Sequence, residues 1–302
     1  MTRKIDSKDC KGQMNEDYLP RNNFEFFTIS FTQITILIFC YILLMVLSQF
    51  TIATVALQNR IPEEVVDMND EEKKAFQEKT VKEFEVIIKN NPEKMKQEYL
   101  EAITNTTPSL LFVQNILWLV CFVIPMYFFF NKVIRVKVND LMDELGSKQL
   151  SSGFLAGTGI FLLMLMVSYL FSLFDFKPKS NEFEIRLFTN LKGNFYLLAW
   201  SVYSIGLITG IIEEVIFRGF LLTHFKNRGF AKEGLVFTSA IFGMMHFSFD
   251  ASPIVPVILT FVGFLFGTIY LKFRNIWVSV GAHATYNSLG LIVAYFLGDQ
   301  FL

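Results

Sequence analysis

Long stretches without a charged residue are the feature that most limits how this chain can fold. The 302 residues contain seven such stretches, each 16 to 34 residues long. A helix needs about 20 residues to cross a bilayer, and a charge at its centre costs ~2.5–3.5 kcal/mol, so a span has to end near charged residues. The stretches cover residues 26–59, 102–131, 149–174, 193–212, 234–249, 251–271 and 275–298. We therefore expect an all-α polytopic membrane protein, a bundle of about seven to eight transmembrane helices with a helical extramembrane loop.

The fifth stretch, residues 234–249, is shorter than the others. Its 16 residues would form a helix of about 24 Å, whereas the hydrocarbon core is ~30 Å thick. This length predicts a short buried helix or a re-entrant one.

Composition excludes several classes of protein. Hydrophobic residues make up 52% of the chain, charged residues 18%, and the mean hydropathy is +0.41, which is too apolar for an ordinary soluble domain. The 27 Lys and Arg against 28 Asp and Glu give no overall basic field, so nucleic acid is not an expected partner. Of the three cysteines, Cys10, Cys40 and Cys121, two lie in apolar runs, which indicates no disulfide framework.

The chain is predicted to have three parts: a leader at residues 1–25, three transmembrane helices within 26–193, and a further helical core at 194–302. When the leader is not counted, the short loops on the same side of the membrane as the N-terminus carry ten Lys and Arg. The short loops on the other side carry four. Because cytoplasmic loops are enriched in these residues, we expect a multi-pass integral membrane protein whose N-terminus is cytoplasmic.

The loop of residues 58–108, extracytoplasmic in this orientation, is the main extramembrane segment. Alternating Glu and Lys from Glu71 to Lys89, with apolar residues between them, predict an amphipathic helix. Asn91 and Pro92 predict the start of a second helix that ends near Ile103. We expect a helical hairpin, most simply a solvated cap.

Pairs of glycines four residues apart occur in three of the apolar segments. Such pairs let helix backbones approach closely in lipid, and they predict a compact bundle rather than any chemistry. The pairs are Gly153 and Gly157, Gly206 and Gly210, and Gly263 and Gly267.

Two adjacent glutamates end the fourth apolar stretch without a break in the predicted helix. No glycine or proline separates them from that stretch, and Arg218 follows four residues after Glu214. Residues at i and i+4 share a helix face, so Glu214 and Arg218 are predicted to form an ion pair. Glu213 points about 100° away, and its carboxylate is expected to remain available.

Two histidines lie inside later apolar segments. His246 follows Phe242 by four residues, and Asn287 follows His283 by four, so each pair is expected on one helix face. A single buried histidine or amide is commonly structural. Two imidazoles, an amide and an available carboxylate on three apolar segments are more polar groups than folding in lipid requires.

These groups suit the attack of water on a carbonyl group. A carboxylate beside a histidine can hold and deprotonate water, and a second histidine with an amide can stabilise the resulting oxyanion. Glu213, His246 and His283 could instead hold one Zn²⁺ with water as its fourth ligand. The residues alone leave a metal-free and a zinc mechanism open.

The three motifs Glu213-Glu214-x-x-x-Arg218, Phe242-x-x-x-His246 and His283-x-x-x-Asn287 resemble the signature of a known family. In order, spacing and placement they are similar to those of the CAAX prenyl protease and bacteriocin-processing family of intramembrane endopeptidases, the Abi or CPBP family. The resemblance covers roughly Asn194 to Leu297.

The resemblance implies a water-filled active site within the bilayer that opens toward the cytoplasm. It implies that Glu213 and His246 activate water and that His283 and Asn287 stabilise the oxyanion or help bind a metal. Glu214 and Arg218 match the remaining positions of the first motif. The implied activity is that of a CAAX protease-like intramembrane (metallo)endopeptidase, and the implied substrate is a membrane-associated peptide or protein, prenylated at a CAAX end or bacteriocin-like.

Two other functions are compatible with the same residues. A proton- or ion-coupled transporter could use Glu213, His246 and His283 as a relay, although no second half repeats the polar segments in inverted order. A catalytically idle scaffold could retain the family fold and bind partners without these side chains.

Overall fold

The computed structural model of the protein describes residues 145–301 without a gap, residues 68–91, and scattered residues within 31–54, 93–97 and 112–128. All regular secondary structure in these residues is helical, which confirms the predicted fold class in outline. The helices are α1 (Asp70–Asn90), α2 (Ser147–Ser172), α3 (Glu182–Leu191), α4 (Phe195–Lys226), α5 (Ala231–Met244), α6 (Ile254–Phe273) and α7 (Ile276–Leu297). Short helical segments at Leu119–Val123, Ile124–Phe128 and Gly298–Phe301 add to them.

Three helices of the described part, α2, α4 and α6, are long and apolar enough to cross a membrane. They correspond to the third, fourth and sixth uncharged stretches. Helix α7, from the seventh stretch, has 22 residues. It is not among the three, because its polar side chains lower its hydropathy. The first two predicted spans and the leader lie mostly or wholly outside the described residues, so the number of seven to eight spans and the division into three parts stay predictions.

Helix α4 continues through the two glutamates, as predicted. Its 32 residues include two segments of π-helix, Val202–Thr209 and Val215–Leu222. The α-helical turn Gly210–Glu214 between them carries both carboxylates. The wider turns of π-helix are frequent at functional sites because they rotate side chains relative to a regular helix.

Helix α5 confirms that the fifth stretch forms a short helix. It has 14 residues and ends at Met244, two residues before His246. The sequence placed His246 inside a helical span, and this was wrong in detail, because the residue lies in the turn that follows α5.

The helix predicted from Glu71 to Lys89 is confirmed as α1, and its place outside the membrane stays a prediction. A reciprocal pair of hydrogen bonds starts it: the Glu72 N–H donates to Asn69 Oδ1, and the Asn69 N–H donates to Glu72 Oε2, both at 3.0 Å. Asn91 caps the next segment, as its Oδ1 accepts from the Lys94 N–H at 3.1 Å. Most of the residues predicted to form that second helix lie outside the described ones.

Helix α7 packs between α2 and α4 through small residues, which confirms the predicted close helix packing. A Cβ atom added to Gly153 would lie 2.9 Å from Gly281 Cα on α7, and one added to Gly157 would lie 2.3 Å from the Ala282 carbonyl oxygen. On the α4 side, Gly210 faces the backbone of Ala284. These contacts hold the polar face of α7 against the glutamates of α4.

We expect Gly157→Ala to lower the free energy of unfolding by about 1–3 kcal/mol, since the added methyl group overpacks the contact between α2 and α7. Thermal unfolding in detergent measures this. Gly159→Ala is the matched control, because a Cβ atom there meets nothing within 4 Å. Equal midpoints for the two variants would contradict the close packing.

Candidate active site

The Glu214 carboxylate is the centre of a buried polar cluster. Its side chain has no exposed surface. Oε1 accepts from Arg218 Nη1 at 2.8 Å and from His283 Nδ1 at 2.9 Å, while Oε2 accepts from Ser279 Oγ at 2.5 Å. The predicted pair of Glu214 and Arg218 is therefore present, and α7 adds two further donors to the same carboxylate.

The Arg218 guanidinium is also fully enclosed. Nη2 donates to the Gly263 carbonyl oxygen of α6 at 2.6 Å. The rings of Phe217, Phe242 and Phe266 lie 5.2–5.8 Å from its central carbon, a distance at which aromatic faces attract a cation. The cation thus connects α4 to α6.

His283 is oriented from two sides. Its ring stacks on Phe266 with centroids 4.5 Å apart and an interplanar angle of 18°, and its Nδ1 is bound to Glu214. A nitrogen that donates to a carboxylate carries the proton, so this contact fixes the tautomer and directs Nε2 away from Glu214.

Glu213 lies on the other side of His283. Its Oε2 is 3.7 Å from His283 Nε2, too long for a direct hydrogen bond but suited to a bridging water. The side chain is 7% exposed, and within 4.0 Å this is its one ion-pair contact among the described residues, although its charge also interacts with that of Arg218. The predicted difference between the two neighbouring glutamates is therefore seen in the structure.

His246 contacts the same aromatic residue as His283. Its Nδ1 lies 2.8 Å from the Phe242 carbonyl oxygen, which requires the proton on Nδ1 and leaves Nε2 as an acceptor. The Phe242 ring lies 4.9 Å from the His246 ring and 5.9 Å from the His283 ring. The predicted proximity of Phe242 and His246 thus persists beyond the end of α5.

Asn287 lies one turn after His283 on α7, as predicted from its spacing. Its Nδ2 donates to the Ile205 carbonyl oxygen at 3.1 Å, a carbonyl in the first π-helical segment of α4. A carboxamide has two N–H donors, so a second one remains for a ligand.

The sequence analysis missed two residues that belong to this cluster. Ser279 is four residues before His283 on α7 and is fully buried, so the same i, i+4 rule would have found it. The Gly263 carbonyl group carries no sequence signal, because its role depends on how α6 packs.

The described residues do not fit the zinc site considered for Glu213, His246 and His283. No group of three or more His, Cys, Asp or Glu side chains in the described part of the chain has an arrangement that could hold a metal ion. His283 uses Nδ1 for Glu214, and its Nε2 faces Glu213 at 3.7 Å. We therefore derive no step through a metal.

Part of the chain matches a known protein family. Residues 195–289 match the family model described as Type II CAAX prenyl endopeptidase Rce1-like. These residues run from the start of α4 into α7 and include every member of the three motifs, so the resemblance stated from the motifs is confirmed. Searches of curated proteins and of solved structures gave no match.

The match and the apolar helices together indicate an integral membrane protein, part of which is similar to the Type II CAAX prenyl endopeptidase Rce1-like family. They give no support to the transporter alternative.

Arg218→Ala is expected to destabilise the protein by about 3–5 kcal/mol, because it leaves the buried Glu214 carboxylate without its main counterion. The yield of monodisperse protein and thermal unfolding in detergent measure this. The control is Arg186→Ala, on the amphipathic helix α3, which should unfold near the wild-type temperature. An Arg218→Ala protein as stable as that control would show that the pair does not stabilise the fold.

Proposed function

We propose that the protein is an intramembrane endopeptidase that hydrolyses a peptide bond in a membrane-associated substrate, with water activated by Glu213 and His246. The observation that carries the proposal is the unequal environment of the two adjacent glutamates. Glu214 uses both oxygens on three buried partners, whereas the one ion-pair contact of Glu213, to His283, is 3.7 Å long and its interaction with Arg218 is not a hydrogen bond. A carboxylate without strong partners in an apolar site is suited to act as a general base.

In the proposed reaction, Glu213 accepts one proton of the water, and His246 Nε2 accepts a hydrogen bond from the other. The water oxygen attacks the carbonyl carbon of the scissile bond and forms a tetrahedral oxyanion. When the intermediate collapses, the carbon–nitrogen bond breaks and the leaving nitrogen takes the proton from Glu213. The products are a carboxylic acid and an amine, which together contain all the atoms of the peptide and the water.

His283 and Asn287 are proposed to stabilise the oxyanion. Asn287 has an N–H donor beyond the one bound to Ile205. His283 can donate from Nε2 only when both of its nitrogens carry protons.

The substrate class follows from the family match and is part of the proposal. A prenylated peptide with a CAAX end and a bacteriocin-like membrane peptide are the two classes to compare. We also propose that the site is reached from the cytoplasm and that the N-terminus is cytoplasmic.

Glu213→Gln and His246→Ala are each expected to lower the rate of cleavage at least ~100-fold, the scale of losing a water-activating group. The assay uses purified protein in liposomes with a farnesylated CAAX peptide and, in parallel, an unlipidated membrane-spanning peptide. Glu233→Gln, an exposed carboxylate on α5, is the control and should cleave normally. A loss under threefold for Glu213→Gln would argue strongly against its role.

The same assay separates the two mechanisms. A metal-free reaction is unaffected by a chelator, whereas a metal-dependent one is lost and returns on addition of zinc. Chelator sensitivity reversed by zinc would require side chains to rearrange from the geometry described above.

Cysteine labelling tests the orientation. Two variants, Lys232→Cys and Lys177→Cys, each carry one thiol at an exposed position, and the native cysteines are replaced by serine. In the predicted topology the two positions lie on opposite sides of the membrane. With a cytoplasmic N-terminus, an impermeant reagent added outside intact cells should label position 177 and spare position 232. The opposite pattern would reverse the orientation.

A further inference from the structure

An amide from outside the family match binds helix α4 beside the candidate site. Asn115 lies in the second uncharged stretch, residues 102–131, and its Nδ2 donates to Ser204 Oγ at 2.7 Å. Ser204 is 1% exposed and belongs to the π-helical segment Val202–Thr209 of α4. A polar side chain of one apolar segment therefore binds a buried polar side chain of another.

Neighbours of Asn115 show that this part of the chain lies against α4. Cys121 is buried in one hydrophobic cluster with Ile212 and Ile216 of α4, and Leu117 packs against that cluster. The hydrogen bond of Asn115 therefore belongs to a packed contact between two segments. It is not an isolated contact at the surface of α4.

The turn of α4 that contains Ser204 also holds Asn287. The Ser204 carbonyl oxygen accepts from Thr209 Oγ1, and the next carbonyl oxygen, that of Ile205, accepts from Asn287 Nδ2, both at 3.1 Å. Side chains from three parts of the chain thus bind two adjacent residues of the π-helical segment. Because Ser204 and Ile205 are covalently joined, a bond that fixes the first residue also restrains the acceptor of Asn287.

Stability alone is a weak explanation for an amide at position 115. Hydrogen bonds between helices in lipid stabilise the fold only modestly, because the separated segments also find polar partners. An apolar side chain at this position would pack without the desolvation cost of an amide. The place of Asn115, bound to the turn that holds Asn287, points to a role in the site.

We propose that Asn115 is a positioning residue that acts on Asn287 through the π-helical segment of α4, an inference that rests on the proposed function. By binding Ser204, Asn115 restrains the Ile205 carbonyl group. That carbonyl group orients the Asn287 carboxamide, whose second N–H donor then points to the oxyanion. Such a donor has to be held in place before the reaction, because an amide that can rotate loses alignment with the developing charge.

The test measures kcat and KM in liposomes for whichever of the two test peptides wild type cleaves faster. Asn115→Ala and Ser204→Ala each remove the bond, so kcat should fall about 3–20-fold while KM stays within threefold. This loss is smaller than that of deleting an oxyanion donor. The double variant should lose no more than Ser204→Ala alone, because both changes remove the same interaction.

Ser201→Ala is the matched control for Ser204→Ala. Ser201 is fully buried three residues earlier on α4, and its hydroxyl has no hydrogen-bond partner in the part of the chain that the structure describes. Removing this hydroxyl should leave kcat at the wild-type value. A loss in Ser204→Ala no larger than that in Ser201→Ala would overturn the inference.

An Asn287→Ala background separates positioning from a purely structural effect. If Asn115 acts through Asn287, adding Asn115→Ala to Asn287→Ala should lower kcat by less than about twofold. A loss as large as in the wild-type background would overturn the inference, as would wild-type kcat in either Asn115→Ala or Ser204→Ala. If Asn115→Ala yields no folded protein, Ser204→Ala is compared in the two backgrounds instead.

The failure of this inference differs from the failure of the proposed function. If Glu213→Gln is inactive while Asn115→Ala and Ser204→Ala cleave like wild type, only the role of Asn115 is wrong. If wild type cleaves neither test peptide, or if Glu213→Gln cleaves normally, the proposed function fails and this inference fails with it.

Discussion

The fully buried carboxylate of Glu214 organises the described core. An ionised group without exposed surface is tolerable only when charged and hydrogen-bonding partners surround it. Glu214 obtains them from its own helix through Arg218 and from α7 through Ser279 and His283. Arg218 in turn reaches the Gly263 carbonyl group of α6. Three helices are thereby connected by one network of charge-assisted bonds, which are the strong kind of hydrogen bond.

The packing of small residues makes that network geometrically possible. Backbones must approach closely for side chains as short as serine to bridge two helices. Gly210 allows α4 to lie against Ala284 of α7, and Gly263 lies against the Phe242 ring. The same close packing of α4 and α7 brings Glu213 to His283. The Glu213–His283 contact considered for catalysis is therefore a consequence of the helix packing that stabilises the fold. This order explains why two adjacent glutamates have such different surroundings.

The candidate site then consists of two imidazoles with their orienting groups. His283 is held by a carboxylate and a stacked ring, and His246 by a backbone carbonyl group. The His246 turn is bonded to the first turn of α3, so a helix outside the membrane spans contributes to the geometry. Such support is what a preorganised site requires, because rings that can rotate freely lose alignment with the reacting atoms.

The sequence by itself determined the helical class, the apolar segments, helix α1, the pairing of Glu214 with Arg218 and the family resemblance. These follow from local rules of spacing, charge and capping that act within one segment. Only the tertiary structure decided that His283 binds Glu214, that Glu213 faces Nε2 of the same ring, and that α5 ends before His246. Contacts between segments depend on how each helix is rotated and how deep it lies in the membrane. A helix that is apolar on every face has no sequence pattern that specifies its rotation or its depth.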